Sequence, residues 1–170
     1  MKLQRIGIFG ASESGKTTLA KKFVQEFYSK LCIQSLVLDA LMRDTWPSSA
    51  TVFRDEKMFW EQVWNTTGKL VVVEDASATI KKDRSLVPVF TCIRHNLHHL
   101  IVVGHSGTDL LPTMRENLTS LYLFRSTKLG AEKWVESFCD DRIFEATQLK
   151  QYEFLHTVRF GDCKKCKLQL

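Results

Sequence analysis

The stretch GASESGKTT, residues 10–18, stands between an apolar run and a segment with helical periodicity. The run before it, LQRIGIF at residues 3–9, predicts a buried strand. In the segment after it, apolar residues recur at every fourth position: Leu19, Phe23, Phe27 and Leu31. The stretch matches G-x-x-x-x-G-K-[ST] in full, in the strand–loop–helix context that this phosphate-binding pattern requires. It therefore predicts a loop that holds the phosphates of a nucleotide.

Each residue type in the loop has a physical reason to be there. Gly10 and Gly15 permit backbone conformations closed to other residues, so that successive N–H groups point at phosphate oxygens beside the positive end of a helix. Lys16 brings a cation to the β- and γ-phosphates, and the Thr17 hydroxyl is a ligand for Mg²⁺. The expected nucleotide-binding residues are Gly10, Ala11, Ser12, Glu13, Ser14, Gly15, Lys16, Thr17 and Thr18.

Length and composition predict one domain over residues 1–170. A chain of 170 residues with 44% hydrophobic content is long enough for one sizeable core and short for two. The formal charge of +5 is spread along the sequence, which permits a nucleic-acid partner without indicating one. Five dispersed cysteines without a signal peptide favour a reducing compartment, and the longest apolar runs are too short for a transmembrane segment.

The pattern along the chain predicts an α/β fold. Strands are predicted at 4–10, 34–40, 69–75, 99–106, 120–126 and 152–162, and helices at 15–31, 56–64, 89–98, 113–118 and 131–141. Their alternation implies right-handed crossovers and a mainly parallel sheet with helices on both faces, closed by a C-terminal edge strand. Residues 43–55 are predicted as a polar loop, and about 162–170 as a short, flexible basic tail.

Acidic and polar side chains follow two of the predicted strands. Glu74 and Asp75 end the run LVVVED, where a metal-binding acid and a water-orienting base are expected in a nucleotide hydrolase. We assign Glu74 to Mg²⁺ and Asp75 to the attacking water; the reversed assignment, or a merely solvated acidic loop end, stays open. His105 and Ser106 end the next apolar strand and are candidate sensors of the γ-phosphate or the water.

These residues together resemble the FtsK–HerA superfamily, and within it the small genome-packaging ATPases of poxviruses, other large DNA viruses, tailless phages and archaeal viruses. The resemblance covers most of the chain and rests on GASESGKT (10–17), VLDA (37–40), VVVED (71–75), IRHNLHHLIVVGHS (93–106), LPTMREN (111–117) and LYLFRS (121–126). Those ATPases usually carry a glutamine after a small polar residue at the sensor, where this chain has His105 and Ser106.

The resemblance implies a three-layer P-loop NTPase of the RecA-like, additional-strand class that uses ATP and Mg²⁺. It implies a homo-oligomeric ring, hexamer or pentamer, that threads double-stranded DNA into a capsid. Its partners would be a capsid vertex or membrane-associated capsid proteins, in the host cytoplasm or the virion. A neighbouring subunit would supply an arginine to the transferred phosphoryl group, for which Arg94 and Arg115 are the candidates, each with a surface or capping role as the alternative.

Three further features leave alternatives open. The basic patch IKKDR, residues 80–84, is the best candidate for contacts with DNA phosphates, although such a charge run favours an exposed loop with solvated charges. The pair in CKKC, residues 163–166, supplies two of the four ligands of a structural zinc site, so a metal is not expected. A small nucleoside or nucleotide kinase shares the phosphate loop, as does a nucleotide-gated switch, but we find neither an arginine-rich lid nor an Asn-Lys-x-Asp signature.

Overall fold

A sheet of eight strands forms the centre of the computed structural model, which describes residues 2–42 and 44–169. The strand order is β3-β2-β4-β5-β1-β6-β7-β8. The first six strands in this order are parallel to one another, β7 is antiparallel to β6, and β8 is antiparallel to β7. The strands are β1 Arg5–Phe9, β2 Ser35–Leu38, β3 Ala50–Phe53, β4 Leu70–Val73, β5 His99–Gly104, β6 Ser120–Phe124, β7 Glu153–Val158 and β8 Cys163–Lys167.

Helices cover both faces of the sheet. They are α1 Lys16–Leu31, α2 Glu56–Trp64, α3 Ala76–Thr79, α4 Val87–Thr91, α5 Pro112–Glu116 and α6 Lys128–Phe138. Helix α1 packs on one face, and side chains of α2 to α6 belong to the hydrophobic core on the other. The three-layer α/β fold with a mainly parallel sheet is therefore confirmed. None of the helices in the described ranges is long and apolar enough to span a bilayer.

The central strands are buried on both sides. Alternate side chains of β4 enter opposite cores: Val71 and Val73 face the α2–α6 side, and Leu70 and Val72 face α1.

The buried face predicted for helix α1 from a spacing of four residues is only partly right. An α-helix has 3.6 residues per turn, so side chains spaced strictly four residues apart shift gradually around the helix axis. Leu19 and Phe27 are buried accordingly, but Leu31 is 45% exposed.

The prediction of a polar loop over residues 43–55 is wrong in part, because strand β3 lies within it. Strand β3 pairs in parallel with β2 and is the edge of the sheet. Thr51 is exposed and the rest of the strand is only partly buried. A half-buried edge strand of four residues has no continuous apolar run, so hydrophobicity alone does not reveal it.

The helix predicted over residues 89–98 is shorter in the structure, where α4 ends at Thr91. Helix α4 is followed by a 3₁₀ turn at Ile93–Asn96, and Leu97 then adopts a left-handed conformation with φ 58°. The turn brings His98 and His99 into the interior, where ring nitrogens accept hydrogen bonds from the backbone N–H groups of Lys69 and Gln4. These histidines are part of the structural core.

The basic segment predicted as a flexible tail is strand β8, and the prediction is wrong for that reason. Strand β8 pairs with β7 through backbone hydrogen bonds, so β7 is an inner strand and β8 is the C-terminal edge. Cys163 packs against the core on the α2–α6 face, whereas Cys166 packs against the core on the α1 face. Thiols on opposite faces of a sheet cannot bind one metal ion together.

Candidate functional site

The carboxyl ends of β1, β2, β4 and β5 lie side by side and surround a cavity of about 200 Å³. Because the carboxyl ends of parallel strands point in the same direction, loops distant in sequence converge there. The cavity is lined by residues from all four of these loops, among them Ser12, Glu13, Lys16, Thr17, Asp39, Asp44, Glu74, Asp75 and His105. The fold thus brings the phosphate loop and the predicted acids together.

The phosphate loop has the backbone that its glycines predict. Gly10 has φ 141° and Gly15 φ 104°, both closed to ordinary side chains, and Glu13 also has a positive φ of 58°. A Cβ on Gly10 would stand 2.7 Å from the Cβ of Phe124, so the loop also needs glycine for space. The loop ends at Gly15, and helix α1 begins at Lys16 with its positive end beside the cavity.

Lys16 lies across the loop rather than in solvent. Its side chain is 8% exposed, and Nζ donates a hydrogen bond of 2.7 Å to the carbonyl oxygen of Ala11. The Ser14 hydroxyl donates to the same oxygen at 2.7 Å. Burial lowers the pKa of Lys16, and the negative charges of Glu74 and Asp75 oppose that shift. Thr18, the residue after the motif, is exposed.

Thr17 and Glu74 are in direct contact although 57 positions separate them. The Thr17 hydroxyl donates a hydrogen bond of 2.6 Å to Oε1 of Glu74. The other carboxylate oxygen, Oε2, is buried and has no hydrogen-bond partner within the described chain. Burial is the main cause that raises the pKa of Glu74 to about 7. A hydroxyl beside a carboxylate whose second oxygen is buried and unsatisfied is a fitting donor set for Mg²⁺, which prefers oxygen ligands.

Two further acids, which the sequence pattern alone did not single out, line the cavity. Asp39 follows β2, is 3% exposed, and accepts a hydrogen bond of 3.1 Å from Nε1 of Trp46. Asp44 lies further along the same β2–β3 loop and pairs with Lys21 at 2.6 Å. Both raise the pKa of Glu74 further. An acid directly after an apolar strand marks Asp39 as it marks Glu74, whereas no local signal marks Asp44.

Asp75 lies beside Glu74 but adopts a different conformation. It has φ 53°, in the left-handed region, and precedes the short helix α3. Its carboxylate accepts a hydrogen bond from the Ser77 hydroxyl and lines the cavity. A non-glycine residue held in this strained conformation at a cavity is a frequent feature of functional sites. The assignment of Asp75 to the attacking water stays a prediction.

The two candidate sensors differ in their placement. His105 is exposed and lines the cavity, and its backbone N–H donates to Oδ2 of Asp109 at 3.0 Å. Ser106 does not line the cavity, because its hydroxyl caps the following 3₁₀ turn and accepts a hydrogen bond from the N–H of Thr108 at 3.2 Å. Of the two, only His105 is in position to contact a ligand there.

The two candidate trans-acting arginines also differ. Arg115 is 4% exposed, and its guanidinium donates to the Ser137 hydroxyl at 3.0 Å and to two backbone carbonyls, of Gly107 and Leu110, at 2.8 and 2.7 Å. It is a structural residue, so its assignment to a neighbouring subunit's site is wrong. Arg94 is exposed and precedes β5, at the amino ends of the strands, opposite the cavity. Because β5 is roughly 16 Å long, Arg94 cannot serve the cavity of its own chain.

The basic patch at residues 80–84 lies close to this cavity. Ile80 is buried and anchors the patch, whereas Lys81, Lys82 and Arg84 are exposed. Both lysines have left-handed backbone conformations, with φ 46° and 57°. They line a small depression with Thr108 and Asp109, which follow β5. The patch is therefore an exposed basic loop at the same ends of the strands as the acid-lined cavity.

Comparisons with known proteins give likeness of fold only. No protein-family model matches the chain, and no curated protein matches it. The genome-packaging NTPase B204 from Sulfolobus turreted icosahedral virus 2, solved with AMPPCP, matches with a TM-score of 0.80 at 16% identity, covering 100% of both chains. VirB4 of Thermoanaerobacter pseudethanolicus matches with a TM-score of 0.71 at 10% identity, covering 98% of this chain and 89% of that one.

The cytoplasmic domain of the type VII secretion ATPase EccC from Thermomonospora curvata matches with a TM-score of 0.65 at 13% identity. That match covers 96% of this chain and 23% of the other. At these identities the likeness speaks for the arrangement of strands and helices, and not for activity. The chain thus has the P-loop NTPase fold.

Proposed function

We propose that this chain is an ATP-hydrolysing motor that translocates DNA and packages viral double-stranded DNA into a capsid. The observation that carries the proposal is the contact of Thr17 with Glu74 beside Lys16, in a cavity lined by acids. Strand β5 separates the strand of the phosphate loop, β1, from the strand of the acids, β4. This inserted strand agrees with the additional-strand class that the sequence resembles.

The site residues divide the chemistry among them. The amides of residues 10–18 and Lys16 hold the phosphates of ATP, and Thr17 and Glu74 hold Mg²⁺. Bound Mg²⁺ supplies positive charge that neutralises the phosphate oxygens. Asp75 orients the attacking water and accepts its proton, and His105 contacts the γ-phosphate or that water. Asp39 and Asp44 add negative charge around the metal position and thereby favour a cation there.

The assembly follows from the same proposal. In a homo-oligomeric ring, Arg94 of each subunit stabilises the transferred phosphoryl group in the site of the next one. Lys81, Lys82 and Arg84 contact the DNA backbone without reading its sequence, because they meet phosphates. The capsid, at a vertex or through membrane-associated proteins, is the structure that receives the DNA, and the motor works in the host cytoplasm or on the virion.

The solved structures of the same fold favour the motor over the kinase. They are described as a genome-packaging NTPase and as a secretion ATPase. A small nucleoside or nucleotide kinase remains the alternative outcome of the experiment. It would transfer the γ-phosphate to a nucleoside monophosphate and would be indifferent to DNA.

The test is ATP hydrolysis with and without duplex DNA. We expect DNA to stimulate hydrolysis by the wild type, and Lys16→Ala and Asp75→Asn each to lower the rate by at least about 10². Two exposed residues provide matched controls, Lys30→Ala on α1 and Asp162→Asn in the β7–β8 turn, which should leave the rate unchanged. Phosphate transfer to a nucleoside monophosphate, without any DNA effect, would support the kinase instead.

A further inference from the structure

A second opening lies on the outer side of the phosphate loop. This groove has a volume of about 410 Å³ and is lined by Thr17, Thr18, Gln151, Tyr152 and the end of the loop. It shares Glu13, Lys16 and Thr17 with the acid-lined cavity, so the two openings meet along the loop. The groove and the cavity together form one continuous path over residues 13–17.

The cavity by itself is too small for a whole nucleotide. Its volume of about 200 Å³ is below the roughly 300–1,000 Å³ of pockets that bury small ligands. The contact of Thr17 with Glu74 assigns the metal and the terminal phosphate to the cavity. A nucleotide that lies along the loop must therefore place its ribose and base on the other side, in the groove.

Tyr152 is the aromatic side chain of that groove, and the surrounding structure holds it in place. Its carbonyl accepts a hydrogen bond of 2.8 Å from the N–H of Leu168, the residue after β8. A Cβ on Gly15 would stand 3.1 Å from Cδ1 of the Tyr152 ring and 2.8 Å from Cδ2 of Leu168. The ring thus packs directly on the last glycine of the loop, and the C-terminal strand fixes it there.

Gln151 limits how the groove can read a base. Its side-chain amide donates a hydrogen bond of 3.2 Å to the carbonyl oxygen of Glu13, so it ties the loop to the β7 turn. Tyr152 is therefore the aromatic side chain that lines the groove, and the Gln151 amide, one of the polar groups beside it, is already engaged. Stacking on an aromatic ring is tolerant of base identity because every base has a π-face.

We propose that the Tyr152 ring is the platform on which the base of the nucleotide stacks, and that it accepts adenine and guanine alike. The inference deepens the proposed function and rests on it. It also gives the C-terminal strand a role in the site, since β8 and Leu168 position the ring.

The test is equilibrium binding of ATP, GTP and inorganic tripolyphosphate, each with Mg²⁺, by calorimetry. Tyr152→Leu keeps an apolar contact with Gly15 but removes the aromatic face, and Tyr152→Phe keeps both. We expect Tyr152→Leu to weaken ATP and GTP by about 5- to 100-fold and tripolyphosphate not at all. Tyr152→Phe should bind all three like the wild type, and the wild type should prefer neither purine by more than about tenfold.

Tyr28→Leu is the matched control, because Tyr28 is 50% exposed on α1 and lies three turns beyond the loop. Equal weakening of tripolyphosphate and ATP by Tyr152→Leu would overturn the proposal, since the ring would then act only through the loop. Unchanged binding of ATP by a folded Tyr152→Leu variant would also overturn it. A wild type that binds neither ATP nor tripolyphosphate would instead contradict the proposed function itself.

Discussion

Replacing Glu74 by glutamine should stabilise the protein at alkaline pH when no nucleotide or metal is present. Burial and the nearby Asp44 and Asp39 raise the pKa of Glu74 from 4.5 to about 7, against the opposing effects of Thr17 and Lys16. At about 1.36 kcal/mol per pKa unit, ionised Glu74 costs the folded state about 3 kcal/mol above pH 7. Glutamine removes that cost and keeps an oxygen for the Thr17 hydroxyl.

The sign follows from proton linkage. Between pH 4.5 and 7 the folded state holds a proton on Glu74 that the unfolded chain has released, so the free energy of unfolding falls as the pH rises. The stabilisation by Glu74→Gln should therefore be about 3 kcal/mol at pH 8.5 and vanish as the pH falls to 4.5. In thermal unfolding, 3 kcal/mol corresponds to roughly 6–12 °C in Tm.

Urea unfolding in EDTA, followed by tryptophan fluorescence, measures this difference at a series of pH values. The chain contains four tryptophans, and comparing two proteins at each pH cancels the contributions of the other titrating groups. A difference that stays constant from pH 4.5 to 8.5 would refute the reasoning, because an uncharged effect of the substitution has no pH dependence. Glu74→Gln should also abolish Mg²⁺-dependent hydrolysis, although it makes the protein more stable.

Three other predictions concern stability and the loop. Arg115→Ala should lower the free energy of unfolding by about 3 kcal/mol or more in urea, because two buried carbonyls lose their charged donor; an unchanged midpoint would contradict its structural role. Gly10→Ala should cost about 1–3 kcal/mol and weaken nucleotide binding, since its φ of 141° and Phe124 both exclude a side chain; normal ATP affinity in calorimetry would disprove this. Burial lowers the pKa of His98 and His99, so the unfolded chain takes up protons first as the pH falls below 6.5. The stability advantage of wild type over His98→Gln should accordingly shrink from pH 7.5 to 5.5 in urea unfolding.

The sequence pattern predicts most of the parallel half of the fold. Strands β1, β4 and β5 carry apolar runs because they are buried on both faces, and such runs are visible without a structure. Edge strands β3 and β8 escape prediction for the opposite reason. Each has one neighbour and exposed side chains, so backbone pairing rather than hydrophobicity holds it in the sheet.

The site divides in the same way. Glycine, lysine and threonine at fixed spacing, and an acid after a buried strand, are local signals of phosphate and metal chemistry, and the chain displays them in order from residue 10 to residue 75. Arg94 and Arg115 look alike in sequence, and only burial separates the exposed one from the one bonded within its own chain.

The sequence alone therefore determines that a parallel α/β fold begins with a strand, a phosphate-binding loop and a helix, because these three segments are contiguous. The folded structure decides that Asp39 and Asp44 join Glu74, and that Tyr152 packs on Gly15. These contacts connect residues far apart in sequence through sheet pairing, and no local pattern records which distant residues the sheet brings together.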